Sequence, residues 1–399
     1  MPRNIVKWLP ALVVPAAVIA GVIVLPMQAG AAPQLPTKSA KDVLLMIAAS
    51  RDSAFSGTVV STSDLGLPQL SLSTGMSQSM IDSMSSMVPK GMESFVPKGA
   101  STSGLASALE LAGGSHTARI FVDSRNSHAS GKIRVQLEDK LAERNVVSNG
   151  TDAWSFDSNS NTATHLTIPT GSTTAAKARV TAAATALGVD LTNPSTLATE
   201  FLARIDPSTR VSVGSDSIVA GRSAYELVLT PKTSGTLVGS VDIAVDSKTG
   251  LPLKVSVLAR GQKAPAFEVA LTSVDFTAPS ANVFAFTPPA GAKIVEQKLP
   301  QLPATISGLD QSSLGSLVSG LPKVTGTGWD SIVEISAVSV PAELKNNPLI
   351  TQVSTAVTGG RALSTALATI YFASDGRVLI GSVPLSALEI AASSSATPQ

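Results

Sequence analysis

Apolar and polar residues alternate over much of the chain between residues 116 and 286. The clearest case is residues 132–138, Lys-Ile-Arg-Val-Gln-Leu-Glu, where every second side chain is apolar. Strict alternation is typical of an antiparallel strand with one face on a core and the other in water. The same pattern recurs at residues 225–229, 241–245, 253–257 and 267–271. Short strands at this spacing predict one large antiparallel sheet or partial barrel.

A helix and a strand are predicted ahead of this region. Ser39 can cap a helix over residues 40–51, and Asp42 in its first turn suits the helix dipole. Residues 55–62 are rich in β-branched side chains and predict a strand.

Two further helices are predicted within the sheet region. Residues 175–187 are rich in alanine and precede Gly188. Residues 197–205 follow Asn193-Pro194, a cap followed by proline. Because an apolar sheet face must be covered, we expect these helices to cover it.

A small C-terminal α+β unit is predicted over residues 326–399. Residues 298–325 are rich in Leu, Pro, Gly and Ser and predict a linker. The predicted elements of the unit are a strand at 329–338, a helix at 348–357, a hairpin of 362–373 with 377–383, and a helix at 384–392.

The N-terminus has the pattern of an export signal. Arg3 and Lys7 precede an apolar run over residues 9–27, and Ala29-Gly30-Ala31 offers small residues for cleavage. The run is also long enough to span a bilayer. Residues 1–32 are therefore either a cleaved signal peptide or a retained anchor, and both place the rest of the chain outside the cytoplasm, in the periplasm, the cell envelope or the medium.

Residues 64–114 form an insertion rich in Met and Ser. Met76, Met80, Met84 and Met87 recur at steps of four, four and three, which would place them on one helical face. Methionine suits adaptable apolar surfaces. The segment is a packed helix, a poorly ordered insertion, or a flap over an apolar pocket.

Composition excludes several functions. The 29 basic and 28 acidic residues nearly cancel, so we expect no nucleic-acid partner. Without cysteine there is no disulfide, thiolate metal site or cysteine nucleophile. His116, His128 and His165 lack metal-site spacing and lie beside Ser, Thr or Asn, as surface histidines do. No nucleophile elbow or phosphate loop is present, so we expect no enzyme, cofactor or metal.

Four segments resemble parts of a known superfamily in order and spacing. Residues 220–231, Ala-Gly-Arg-Ser-Ala-Tyr-Glu-Leu-Val-Leu-Thr-Pro, resemble its Gly-Arg-x-x-Tyr strand, and residues 245–255 resemble the following hairpin. Residues 284–292 resemble its closing strand, and residues 55–57 its early strand. The superfamily is that of LolA-like lipoprotein carriers, together with periplasmic sensors of the RseB or MucB type.

The resemblance implies an unclosed antiparallel β half-barrel over residues 33–297, with helices as a lid above an apolar cavity. It also implies non-enzymatic binding of the acyl chains of a lipid or acylated protein. The alternative is an envelope sensor or regulatory subunit that binds a membrane protein.

The inward strand residues are the candidate lining of the cavity, and one apolar helix stripe is the candidate lid. The lining residues are Ile133, Val135, Leu137, Leu227, Leu229, Ile243, Val255 and Val269, and the lid residues are Leu197, Phe201 and Leu202.

Overall fold

A computed structural model of the chain describes two β-sheets and three α-helices. The described residues are 33–50, 54–66, 113–125, 131–138, 143–167, 202, 207–298, 322–340 and 348–394. Within them, a large sheet has thirteen strands and a C-terminal sheet has six.

The strands of the large sheet come from residues 54–298. In chain order they are β1 (Ala54–Ser63), β2 (Gly114–Asp123), β3 (Lys132–Glu138), β4 (Glu143–Ser148), β5 (Asp152–Asp157), β6 (Thr162–Thr167), β7 (Thr209–Val213), β8 (Ser217–Val219), β9 (Arg222–Pro231), β10 (Val238–Asp246), β11 (Pro252–Ala259), β12 (Pro265–Asp275) and β13 (Lys293–Lys298).

The large sheet is open and strongly curved. Its strand order is β13-β6-β5-β4-β3-β2-β1-β12-β11-β10-β9-β7, with β8 paired to β9. The two end strands do not pair with each other, so the sheet is unclosed. β8 nevertheless contacts β12, three strands away from β9, which requires the sheet to curl at this side. Neighbouring strands are antiparallel except β13, which pairs parallel to β6.

Helix α1 (Ala40–Ala49) precedes the sheet and packs on β7 and β9. The Ser39 hydroxyl accepts from the backbone N–H of Asp42, and the Asp42 carboxylate accepts from the backbone N–H of Ser39. This reciprocal capping box satisfies two backbone donors that the first turn would leave unpaired.

The C-terminal sheet has a core of its own. Its strands are β14 (Lys323–Thr325), β15 (Ile332–Ile335), β16 (Thr355–Val357), β17 (Gly360–Ser364), β18 (Thr369–Ala373) and β19 (Val378–Gly381), in the order β14-β15-β19-β18-β17-β16. Helix α2 (Pro348–Val353) precedes β16. Helix α3 (Leu385–Ser394) packs Leu388 and Ala392 against Tyr371 and Leu379.

The fold class predicted from the sequence is confirmed: the protein is α+β, with an unclosed, mostly antiparallel half-barrel and a small second sheet. The predicted helix at 40–51 and the strand at 55–62 are also present. The parallel strand β13 is not predicted by the alternation pattern. The predicted helices at 175–187 and 197–205 lie outside the described residues, apart from Leu202.

Three predictions in the C-terminal unit are wrong in their bounds. The strand begins at Ile332 because Gly328–Asp330 form a 3-10 helix, in which Trp329 is buried. The helix ends at Val353, where the Arg361 guanidinium binds the carbonyls of Thr351 and Ser354.

The third error concerns residues 362–373, which form two strands. The Thr365 hydroxyl accepts from the backbone N–H groups of Leu367 and Ala368, which stabilises a turn between β17 and β18.

Candidate functional site

The eight strand residues predicted to line a pocket share one face of the large sheet. Directly paired residues of neighbouring strands project from the same face. Leu227 pairs with Ile243, and Ile243 pairs with Val255. Val255 pairs in turn with Val269. Leu229 lies two residues after Leu227 on β9, so its side chain has the same orientation.

The same face continues through β1 into β3. Val269 pairs with Ser61, which lies two residues after Val59. Val59 pairs with Ala118, and Ala118 pairs with Leu137. The last two predicted residues follow at two-residue steps along β3: Val135 and Ile133. We call this surface the apolar face.

Helix α1 covers one side of the apolar face. Val43 is fully buried against Tyr225, Leu227 and Val245. The Tyr225 hydroxyl donates to the backbone carbonyl of Pro36, so the segment before the helix is held as well. Burial raises the pKa of Tyr225 above its ordinary value.

The C-terminal unit covers a second part. Trp329 and Leu367 are buried with Val241, Val257 and Phe267 of the large sheet. Four predicted lining residues pack against this cluster: Leu229, Ile243, Val255 and Val269. These residues therefore contribute to the packing between the two sheets.

The apolar face remains open on β3 and β4. Ile133 is 40% exposed, and Val146, which pairs with Val135, is 46% exposed. Val135 and its other partner Ile120 are half-buried. Large aliphatic side chains that adjoin one another and remain in contact with water are typical of a binding surface.

The opposite face of the large sheet is polar where β9–β12 run together. Lys254 and Glu226 form an ion pair of 3.1 Å, and the Ser256 hydroxyl donates to Glu268 at 2.8 Å. Burial raises the pKa of Asp242 on the same face. Over β9–β12, the alternation seen in the sequence thus separates an apolar from a polar surface.

Two residues in the segments that resemble the superfamily, Arg222 and Asp246, form an ion pair. The Arg222 guanidinium makes two hydrogen bonds to the Asp246 carboxylate, which is 1% exposed. Asp246 also accepts from the backbone N–H groups of Lys248 and Thr249. Burial alone would raise the pKa of Asp246, but these hydrogen bonds outweigh it and lower the pKa. The motif therefore joins two hairpins.

His165 lies in surroundings that the sequence did not reveal. Its side chain is 17% exposed and lies between two carboxylates, so the prediction of an ordinary surface histidine is wrong for it. Its partners Asp152 and Glu296 are 13 and 131 residues away, at no motif spacing. The ring stacks on Trp154 with 4.1 Å between centroids.

Two groups of predicted residues lie largely outside the described part of the chain. Of the lid residues Leu197, Phe201 and Leu202, the structure describes Leu202, which is helical and half-buried. The flap residues Met76, Met80, Met84 and Met87 and the histidine His128 are outside it.

The described ranges contain no group of three or more His, Asp or Glu side chains arranged to hold a metal ion. They also contain no helix with the length and apolar character needed to cross a membrane.

No family model and no curated protein matches the sequence. Solved structures do resemble it. The MucA/MucB complex of Pseudomonas aeruginosa aligns over 88% of this chain and 96% of the other, with 14% identity and a TM-score of 0.41.

Two smaller structures also align. The LolA superfamily protein NE2245 from Nitrosomonas europaea covers 63% of this chain and 99% of its own, with 9% identity and a TM-score of 0.21. A putative outer membrane lipoprotein-sorting protein domain from Vibrio parahaemolyticus covers 61% and 95%, with 11% identity and a TM-score of 0.24.

These structures include both groups that the sequence resembles, the LolA superfamily and the MucB proteins. Because all of these TM-scores are below 0.5, the half-barrel assignment rests on the strand order and register of the chain itself.

Proposed function

We propose that the chain is an exported, non-enzymatic carrier that holds the acyl chain of a lipid or acylated protein on the apolar face. The observation that carries this proposal is the open aliphatic surface of Ile133, Val135 and Val146, which continues on the same face into the buried side chains of Leu137 and Ala118. An acyl chain gains about 0.8 kcal/mol for each CH₂ removed from water, so aliphatic contact suffices for binding.

Helix α1 and the C-terminal unit cover different parts of the apolar face and leave a third part open. Trp329 and Leu367 fix the β9–β12 side to the C-terminal unit, and α1 covers Leu227. We place the acyl chain on the β2–β4 side, against Ile133 and Val135. The other predicted lining residues lie on the same face and continue it from β3 towards β9.

The lid and flap remain part of the proposal. Leu197, Phe201 and Leu202 would cover the bound chain, and Met76, Met80, Met84 and Met87 would close over it. Methionine side chains adapt to ligands of differing shape, as a carrier of several lipids would need.

The domain division and location follow from the sequence. We assign the carrier domain to residues 33–297, the linker to 298–325 and the second domain to 326–399. Residues 1–32 direct export, so the carrier acts outside the cytoplasm, and no cofactor takes part.

The test is lipid retention by the exported full-length protein. Organic extraction and mass spectrometry should identify acyl lipids bound to the wild type. The double variant Ile133→Glu/Val146→Glu should lose them, because two carboxylates would line the open surface. Both positions are substantially exposed, so the variant should still fold.

Ile390→Glu is the matched control, because Ile390 is 68% exposed on α3, away from the large sheet. It should retain lipid as the wild type does. A lipid-free wild type that also fails to take up a fluorescent fatty acid would refute the carrier function.

A second candidate is an envelope sensor that binds a membrane protein. The supporting observation is β16, an edge strand of the C-terminal sheet whose Thr355 and Ala356 are exposed. Such an edge can pair with an extended segment of a partner. Capture of a membrane protein by the wild type and not by an Ala356→Pro variant would support it, since proline cannot continue the backbone pairing.

A further inference from the structure

His165 is held from both sides by carboxylates. Its Nε2 lies 3.0 Å from Asp152 Oδ1 on β5, and its Nδ1 lies 3.0 Å from Glu296 Oε2 on β13. The Trp154 ring stacks on the imidazole at an interplanar angle of 12°. The imidazole therefore connects three strands: β5, β6 and β13.

This geometry favours a proton on each ring nitrogen. A neutral imidazole has one N–H and one lone pair, so one of its nitrogens would face a carboxylate without a proton to share. Hydrogen bonding to Asp152, together with Glu296 and against the effect of partial burial, raises the pKa of His165. The stacked Trp154 ring also favours a cation.

Besides its backbone pairing with β6, strand β13 makes few side-chain contacts among the described residues. It is an end strand of the sheet, and β6 is its one strand partner among the described residues. Its side chains at Lys293–Gln297 are exposed or half-buried, and Ile294 is 55% exposed. At its start, Asn161 binds the backbone of Gly291 and Lys293. At its other end the described side-chain contact is Glu296 with His165.

The attachment of β13 affects the length of the connection between the two sheets. The chain leaves the large sheet at β13 and enters the C-terminal sheet at β14. Release of β13 would lengthen the connection between the sheets by up to six extended residues, about 20 Å.

We propose that Asp152, His165 and Glu296 form a pH-sensitive clasp that fixes β13 to the sheet while His165 is protonated and loosens it when His165 loses its proton. The charged groups that the described residues place against the ring are Asp152 from β5 and Glu296 from β13. Phe286, which follows the 3-10 helix Ala281–Phe284, contacts Trp154 and brings no charge.

The direction of the effect follows from the raised pKa. A raised folded-state pKa contributes stability that is fully present below the ordinary histidine value of about 6.5. That contribution is lost as the pH rises through the raised value. β13 should therefore be firmly attached in mildly acidic conditions and loosened in alkaline ones.

The experiment is hydrogen–deuterium exchange of the full-length protein at pH 5 and pH 9, expressed as protection factors corrected for intrinsic exchange. Protection over residues 293–298 should fall about two- to fivefold at pH 9, the range that exposed ion pairs support. Protection over β10 should not change. His165→Gln should show low protection at both pH values, whereas the control His116→Gln should behave as the wild type.

Unchanged protection of β13 in the wild type between the two pH values would overturn the proposal. So would equal protection at pH 5 in the wild type and His165→Gln.

A second measurement covers the case in which His165→Gln does not fold. The NMR titration of the His165 ring in Glu296→Gln should show a lower pKa than in the wild type. An unchanged titration would mean that Glu296 does not hold the imidazolium, and the clasp would be refuted.

Discussion

The indole N–H of Trp329 donates to the hydroxyl of Thr209 at 2.8 Å, and both residues are buried. Thr209 begins β7, an end strand of the large sheet, and Trp329 lies between β14 and β15 of the C-terminal sheet. The Thr233 hydroxyl adds a second link, donating to Asp330 at 2.7 Å. The second sheet is thus fixed to the first by directional bonds and by apolar packing.

Trp329→Phe should weaken this attachment. The substitution keeps an aromatic ring but removes the donor, which should lower the free energy of unfolding by about 1 kcal/mol. Hydrogen exchange should increase at the β7 amides. The control Tyr371→Phe removes a hydrogen bond inside the C-terminal sheet, from the Tyr371 hydroxyl to the Thr358 carbonyl. If both variants affected β7 equally, the proposed role of Trp329 would be wrong.

Gly250→Ala should displace α1. Gly250 has a φ of +74°, and an added Cβ would lie 2.1 Å from the Met46 carbonyl oxygen in the helix. Gly261 is the matched control, with a φ of +81° and no atom within 4 Å of the added Cβ. Gly261→Ala should cost about 1–2 kcal/mol from backbone strain. Gly250→Ala should cost about 1–3 kcal/mol more from overpacking, measured by urea unfolding. Equal losses would contradict the close approach.

Arg222→Ala should be strongly destabilising. It leaves the Asp246 carboxylate buried without its cation, and loss of one partner of a buried ion pair costs about 3–5 kcal/mol. Arg119→Ala breaks an ion pair of similar length, 2.8 Å, to Glu138, but these two side chains are 62% and 49% exposed. It should cost less than about 1 kcal/mol. Similar losses in chemical denaturation would show that the Arg222 pair is not structurally important.

Arg222→Ala and the wild type should also differ in their stability to acid. The lowered pKa of Asp246 contributes stability that is present above its unfolded value of about 3.9 and is lost as the pH falls through the folded value. In Arg222→Ala that pKa should rise, so acid unfolding should begin at a higher pH than in the wild type. Circular dichroism between pH 2 and pH 6 measures the midpoint, and coincident midpoints would contradict the assignment.

Periodicity predicted the large sheet because alternation is a local property. Each of the eight predicted strand residues has at least one polar neighbour in the sequence. The pairing of Leu227 with Ile243 and of Ala118 with Leu137 then places all eight on one face. The capping residues Ser39 and Asp42 likewise form a local signal that specified α1.

Contacts between distant residues were beyond such patterns. Nothing near Trp329 indicates that its indole binds Thr209, 120 residues earlier. The attachment of the C-terminal unit to Leu229 and Val255 could not be predicted for the same reason. The turn at Thr365 lacks glycine and proline and depends on a side-chain hydroxyl, so residues 362–373 resembled one strand.

The central claim, that an acyl chain binds the open part of the apolar face, is tested most directly with a spin-labelled fatty acid. In methyl NMR spectra of the full-length protein, the nitroxide should selectively broaden the signals of Ile133, Val135 and Val146. The methyl groups of Ile390 and Val338, both exposed on the C-terminal unit, should remain sharp. Broadening confined to Ile390 or Val338, or no broadening at all, would contradict the account.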